Sequence, residues 1–250
     1  MSNVAKMSPE EITKRDFAEN HKVGFCKMPI GFSHKPALCA SAACPTKPFF
    51  APLRVESQWL CTKTEDQGSK PWCAAYAASQ WAEAVQWKIN GYLPDNIDPT
   101  WIYKDAKQLD GDPYSDGTTL FAVYEALLNK RTFDPEHCSV KVIRPDITDV
   151  KFALHKYGMI LGGFNITDEW YELNAKKTAI YNQDADKGKR YGTCGGHAVM
   201  LVGYNEQGAY IQNSWGDGWG NAGMGLITWD EFKRQFMYGA VITNCFWNAD

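Results

Sequence analysis

The segment Asp66-Gln67-Gly68-Ser69-Lys70-Pro71-Trp72-Cys73 runs into an alanine-rich stretch, Ala74 to Val85, while Gly196-His197-Ala198 and Asn213-Ser214-Trp215-Gly216 stand far downstream. A thiol, an imidazole and a carboxamide serve one another only in contact, yet His197 and Asn213 follow Cys73 by 124 and 140 residues. If the three act together, the first half of the chain must present a helix start to strands of the second half. The alanine run supplies the helix, because its residues lose little side-chain freedom on becoming helical. Pro71 and Trp72 ahead of it place Cys73 in the first turn, where orphan N–H groups and the positive end of the helix dipole favour an anionic sulfur.

The chemistry follows from these residue types. A thiol attacks a carbonyl as thiolate, and a cysteine of pKa about 8.5 is mostly protonated at neutral pH unless a neighbour stabilises the anion. His197 is the expected counter-cation and proton carrier, and Asn213 the group that fixes its ring by a hydrogen bond given or received. Alone, each residue has a plainer reading. Cys73 would be a small buried hydrophobe, His197 a core histidine of the apolar run to Tyr204, and Asn213 the start of a glycine-rich turn. Their joint occurrence in this order outweighs those readings.

With these three segments, the chain resembles the papain-like cysteine peptidases over roughly Pro52 to Cys245. The resemblance implies an α+β, papain-like two-lobe fold in which a helical lobe faces a twisted antiparallel β-sheet lobe, the active site lying in the cleft between them. It implies Cys73 as nucleophile, His197 as general base and acid, Asn213 as orienting residue and Gln67 as oxyanion-hole side chain beside the Cys73 N–H. Gly117 is the candidate for a strand-like contact with substrate, although an ordinary helix-entry turn capped by Thr118 reads equally well. Gly162, Gly163 and Trp215 complete the substrate-binding candidates, and Trp215 with Trp219 is expected to shield the Asn–His hydrogen bond. The expected partner is a peptide or protein substrate, with no metal and no organic cofactor. A catalytically silent binding protein on this scaffold and another Cys-His amidase are the competing readings.

The departures from the family pattern sit beside the nucleophile. Lys70 stands where the family commonly has a disulfide cysteine, so packing and Pro71 must hold that loop. Ala74 replaces the aromatic that usually follows the nucleophile, leaving Trp72, Tyr76 or Trp81 to cover the catalytic pair.

At 250 residues and 44% apolar content the chain can bury a sizeable core. A net charge of −3 suggests neither a nucleic-acid nor a membrane partner. The sequence has no apolar run of transmembrane length and no secretory signal in its polar start, so a cytoplasmic, reducing setting is slightly favoured. Apart from Cys73 there are seven cysteines, an odd number. The resemblance offers Cys194 and Cys245 as a pair. His21, Cys26, His34, Cys39 and Cys44 are of zinc-ligating types but contain no tight C-x-x-C pair.

Three regions are expected. Residues 1–48, with a capped helix from Ser8 to about Glu19, form an N-terminal extension, and residues 49–250 the peptidase domain. The extension reads as an embellishment packed on the core, and occlusion of the cleft is the alternative. Within the domain, a helical lobe at about 52–130 precedes a β-rich lobe at about 131–250. Helices are expected at Pro99–Lys107 and Thr119–Leu128, with a short one at Asp149–Tyr157. Strands are expected at Lys141–Arg144, Gly158–Phe164, His197–Tyr204, Ala209–Asn213 and Gly225–Thr228.

Overall fold

Helix α1, Cys73–Asn90, is the axis on which the two halves of the chain meet. Its residues 73–75 and 77–85 are all buried, so it is apolar around most of its circumference rather than along one stripe. Small Ala74, Ala75, Ala77 and Ala78 let neighbouring elements approach it closely on several sides. Gly91 ends it in the left-handed conformation, φ 71°, its N–H bonded to the Trp87 carbonyl.

The computed structural model describes residues 51–56, 63–91, 96–130, 132–133, 138–181 and 192–243. The expected N-terminal helix, the zinc-type residues from His21 to Cys44, and Cys61 and Cys245 all lie outside them. Among the described residues, no group of metal-ligating side chains could hold an ion, and no helix is long and apolar enough to cross a membrane.

Two further helices flank α1. Helix α2, Pro99–Leu109, starts with Pro at its first position and an Asp98 cap accepting from the Thr100 N–H at 2.8 Å. Helix α3, Leu120–Asn129, is capped by Thr119 Oγ1 rather than by Thr118, which is buried one residue earlier. Strand β1, Val55–Glu56, interrupts the helical half by pairing with the long strand β5, Thr193–Tyr204.

The rest of the sheet comprises β2 (Ser139–Ile143), β3 (Ile160–Thr167), β4 (Ala179–Ile180), β6 (Gly208–Gln212), β7 (Met224–Thr228) and β8 (Phe236–Thr243). Its order is β2-β8-β3-β5-β6-β7-β4, antiparallel except for the β4–β7 pair. Helix α4, Ile147–Tyr157, begins two residues earlier than expected because Asp146 accepts from the Thr148 and Asp149 N–H groups. Helix α5, Trp229–Gln235, and β8 were not expected, although β8 is an interior strand between β2 and β3.

Alternation along β5 separates two cores. Ala198, Met200 and Val202 pack with α1 and α3 on one face. Val199 and Leu201 face a second core with α4, α5, Trp170, Trp215 and Trp219. The expected α+β architecture of helices against a mostly antiparallel sheet is therefore the observed one.

Candidate active site

Cys73 is the first residue of α1, and Trp72, in the cap position, contributes its backbone carbonyl to the Ala75 and Tyr76 N–H groups. The Trp72 side chain makes no capping bond, so Cys73 stands at the positive end of the helix dipole without a side-chain cap. Cys73 is a thiol and is only 1% exposed.

The loop before it is tied down on both sides. Thr64 Oγ1 donates to the Ala222 carbonyl, the Gly216 N–H to the Glu65 carbonyl, and the Gln67 N–H to the Ser214 carbonyl, at 3.0, 3.0 and 2.9 Å. Asp66 and Trp215 form an antiparallel bridge within this short ladder. Ser214 Oγ donates to Gln67 Oε1 at 2.8 Å, and Gln67 Nε2 donates to the Lys70 carbonyl at 2.8 Å. These bonds fix the Gln67 amide with its NH₂ end toward the nucleophile loop, the orientation an oxyanion donor needs.

Packing replaces the missing bridge at Lys70. Lys70 Nζ lies 4.7 Å from the centre of the Trp72 ring, which stacks on Tyr103 at 4.2 Å, and the Tyr103 hydroxyl donates to the Asp116 carbonyl. The stack thus connects the nucleophile loop to the loop carrying Gly117. That loop is also gathered by Lys107 Nζ, which donates to the Asp112 and Gly117 carbonyls. The Gly117 N–H is turned onto Ser115 Oγ at 3.2 Å, a long bond that a substrate carbonyl would have to displace.

On the sheet, His197 is fully buried in β5 and Asn213 follows β6 directly. Asn213 is held by the Gly223 carbonyl accepting its N–H and by Gln80 Nε2 reaching its carbonyl. Its Oδ1 lies 2.8 Å from His197 Nε2 and also accepts from the Ser214 N–H at 2.8 Å. The second bond identifies the oxygen end of the amide, and an oxygen can only accept, so His197 Nε2 carries a proton. In the neutral ring the lone pair then belongs to Nδ1, which is buried and has no hydrogen-bond partner among the described residues.

Trp215, 2% exposed, lies 4.6 Å from the imidazole centre and stacks on Tyr171 at 5.0 Å. Trp170 meets the imidazole edge-on at 5.9 Å, while Trp219 stands behind both, its indole N–H on the Trp170 carbonyl. The shield expected of Trp215 and Trp219 is therefore shared with Trp170. Trp72 and Trp81 have other tasks, Trp81 packing on Tyr124 and Phe133. Trp170 and Tyr171 come from a short 3-10 turn, Asp168–Glu172, whose two ends are clamped by Lys177 through Glu169 and Glu172. No motif announces this turn in the sequence. Burial first, then Cys194, Asp168 and Cys73, hold the Tyr171 phenol neutral, well above its usual range. The Tyr171–Trp215–His197 contacts set the imidazole against this aromatic pair.

The remaining candidates are placed as follows. A Cβ on Gly163 would face Leu120 of α3, whereas one on Gly162 would enter the second core against Leu201, Phe164 and Phe236. Gly162 pairs with Val199 and Gly239, and Gly163 with Ala198 and Tyr238, so both are interior residues of the sheet rather than open to a bound peptide. Cys194 keeps its thiol and donates to Asp168 Oδ1 at 2.7 Å, so the suggested bridge to Cys245 is not formed. Cys138 is disulfide-bonded, with its partner outside the described residues.

Residues 91–236 match the family described as papain family cysteine protease. The chain belongs to the papain family. The match includes His197 and Asn213 and starts after Cys73. Xylellain, a cysteine protease from Xylella fastidiosa, shares the fold with TM-score 0.64 and 17% identity, over 89% of this chain and 97% of its own. Digestive procathepsin L2 from the Tenebrio molitor larval midgut gives TM-score 0.62 and 17% identity, over 97% of this chain and 82% of its own. ProCathepsin B S9 from Trypanosoma congolense gives 0.57 and 15%, over 80% and 82%. At these identities the likeness concerns the fold. A search of curated proteins returns no match.

Proposed function

We propose that this papain-family cysteine protease hydrolyses peptide bonds through a thioester acyl-enzyme formed on Cys73. His197 Nδ1 takes the thiol proton, and the Cys73 sulfur adds to the scissile carbonyl. The resulting oxyanion is received by the Cys73 N–H and Gln67 Nε2. The tetrahedral adduct collapses with transfer of the Nδ1 proton to the departing amine. Water, deprotonated by His197, then adds to the thioester and releases the acid and the thiol. Gly117 lies beside the bound peptide, and the buried Trp215 backs the imidazole.

The observation that carries this reading is the proton inventory of the His197–Asn213 pair, which leaves the basic nitrogen on the side away from Asn213. Cleavage of a diverse peptide library by the full chain, absent in Cys73→Ala, is the test. No cleavage in either protein, with Cys73 inert to iodoacetamide at pH 6, would favour a silent binding protein instead.

Two similar structures are named as procathepsins, and residues 1–48 precede the matched family region. Occlusion of the cleft by those residues is part of this proposal.

A further inference from the structure

Glu65 stands two residues before Gln67, and the proposed chemistry gives its carboxyl no task. Oε1 lies 3.2 Å from Ser79 Oγ of α1, and Oε2 is enclosed without a hydrogen-bond partner among the described residues. Ser79 is fully buried, and its hydroxyl is in closer contact with the Ile97 carbonyl. A hydroxyl carries one proton and a carbonyl can only accept, so the Ser79 proton goes to Ile97. An ionised Glu65 would then turn one oxygen toward the lone pairs of Ser79 and leave the other bare. A carboxylic acid removes the conflict by donating to Ser79 Oγ. One turn further along α1, the Ile97 N–H donates to Glu83 Oε1 at 2.8 Å. The relay Glu65–Ser79–Ile97–Glu83 thus has a place for a proton on Glu65 and an acceptor at Glu83.

The charges around Glu65 point the same way. Glu83 of α1 and Asp98 at the α2 cap oppose its ionisation, while a hydrogen bond from Ser79 and Lys63 of its own segment favour it, and burial with Glu83 outweighs them. Tyr76 of α1 also faces the cluster, and its phenol is pushed up by burial and then by Glu65, Asp66 and Asp98. Burial first, then Glu83, push the Glu65 carboxyl up to about 7. The backbone of the same residue accepts the Gly216 N–H, in the ladder that also fixes Gln67 on Ser214.

We propose that Glu65 is a positioning residue for Gln67, a protonated acid that seats segment 64–67 between α1 and the Asn213 loop. The inference rests on the oxyanion role assigned to Gln67 above. Ionisation removes the donor to Ser79 and sets Glu65 against Glu83 and Asp98, so the ladder holding Gln67 loosens.

The test compares the full chain with Glu65→Gln and Glu65→Ala from pH 5 to about 9, reading kcat on a small peptide, Cys73 alkylation by iodoacetamide, and melting temperature. The wild-type kcat should fall as pH passes through about 7. Glu65→Gln donates to Ser79 without ionising and should exceed it about tenfold one unit higher, the ratio of ionised to acid form there. Alkylation needs no oxyanion hole, so its pH profile should coincide in wild type and Glu65→Gln. Glu65→Ala should lose kcat at every pH, with KM little changed. The folded chain keeps a proton that the unfolded chain releases near pH 4.5, so wild-type stability should fall from there to about 7 and then level off, unlike that of Glu65→Gln. Coincident kcat and melting profiles for wild type and Glu65→Gln would overturn the proposal. If no protein cleaves any peptide, the protease reading fails, and the melting profiles alone still decide where the proton is.

Discussion

Asn213 does two things with one oxygen. It accepts from the Ser214 N–H, which orients it, and from His197 Nε2, which fixes the ring and its tautomer. Removing the sulfur should therefore be the most severe change. Cys73→Ala is expected to abolish hydrolysis, a loss of at least about 10⁴-fold, with melting behaviour preserved because little volume is lost. Unchanged turnover in that variant would refute the mechanism. Gln67→Ala should lower kcat by about 100–1,000-fold, the usual cost of one oxyanion donor. Asn213→Ala should cost less than Cys73→Ala, since an unoriented imidazole still visits the productive position. Asn213→Asp, which keeps an acceptor at Oδ1, should recover part of that loss, and failure to do so would mean that shape matters more than the Nε2 proton. At this scale Cys73, His197, Asn213 and Gln67 could be nominated from the sequence because each proposed role demands one residue type in a recognisable neighbourhood. Trp170, Tyr171 and Glu65 were not, because any aromatic or acid can be structural and only the folded contacts distinguish these.

The elements show how a loop can be fixed without a covalent tie. Lys70, Trp72 and Tyr103 form a stack that reaches the Asp116 carbonyl through the Tyr103 hydroxyl. Such a ring pair contributes about 0.5–1.5 kcal/mol beyond the area it buries, and an exposed cation over a ring about 0.5–1. A double-mutant cycle on Trp72→Ala and Tyr103→Ala should accordingly show a coupling of about 1 kcal/mol. Both single variants should lower kcat/KM, because the stack spans the nucleophile loop and the Gly117 loop. Tyr103→Phe, which keeps the stack and loses only the hydroxyl, should lie between Tyr103→Ala and wild type. Additive stability losses, with catalysis untouched, would reduce the stack to surface packing. The helices and most strands could be read from periodicity and caps, as at Asp98–Pro99 and Thr119. The turn from α5 to β8 could not, because Gln235 passes to Phe236 without glycine or proline. Strand β1 is only two residues long and carries no alternation to detect. Gly162 and Gly163 differ by one position in a strand, and only the register on β5 and β8 shows which of them faces α3.

For the whole molecule, the arrangement raises a question of access. Cys73 is 1% exposed and His197 is fully enclosed, so a peptide carbonyl reaches the sulfur only after some covering group moves. Residues 1–48 precede the helical half and are long enough, at up to about 3.3 Å per extended residue, to cross any cleft of a domain this size. If they cover the site, the rate of Cys73 alkylation in the full chain is the intrinsic rate multiplied by the open fraction. Deleting residues 1–48 should then raise the alkylation rate and kcat/KM toward small peptides by the same factor, since both reactions wait on one opening. Adding the excised segment back as a separate peptide should reduce both together. If the segment instead only covers an apolar patch, deletion should lower the melting temperature and leave the alkylation rate per folded molecule unchanged. The first outcome is the one that the proposed occlusion requires. Equal alkylation rates in the full and shortened chains would assign the opening to the Trp215 and Tyr171 side of the site.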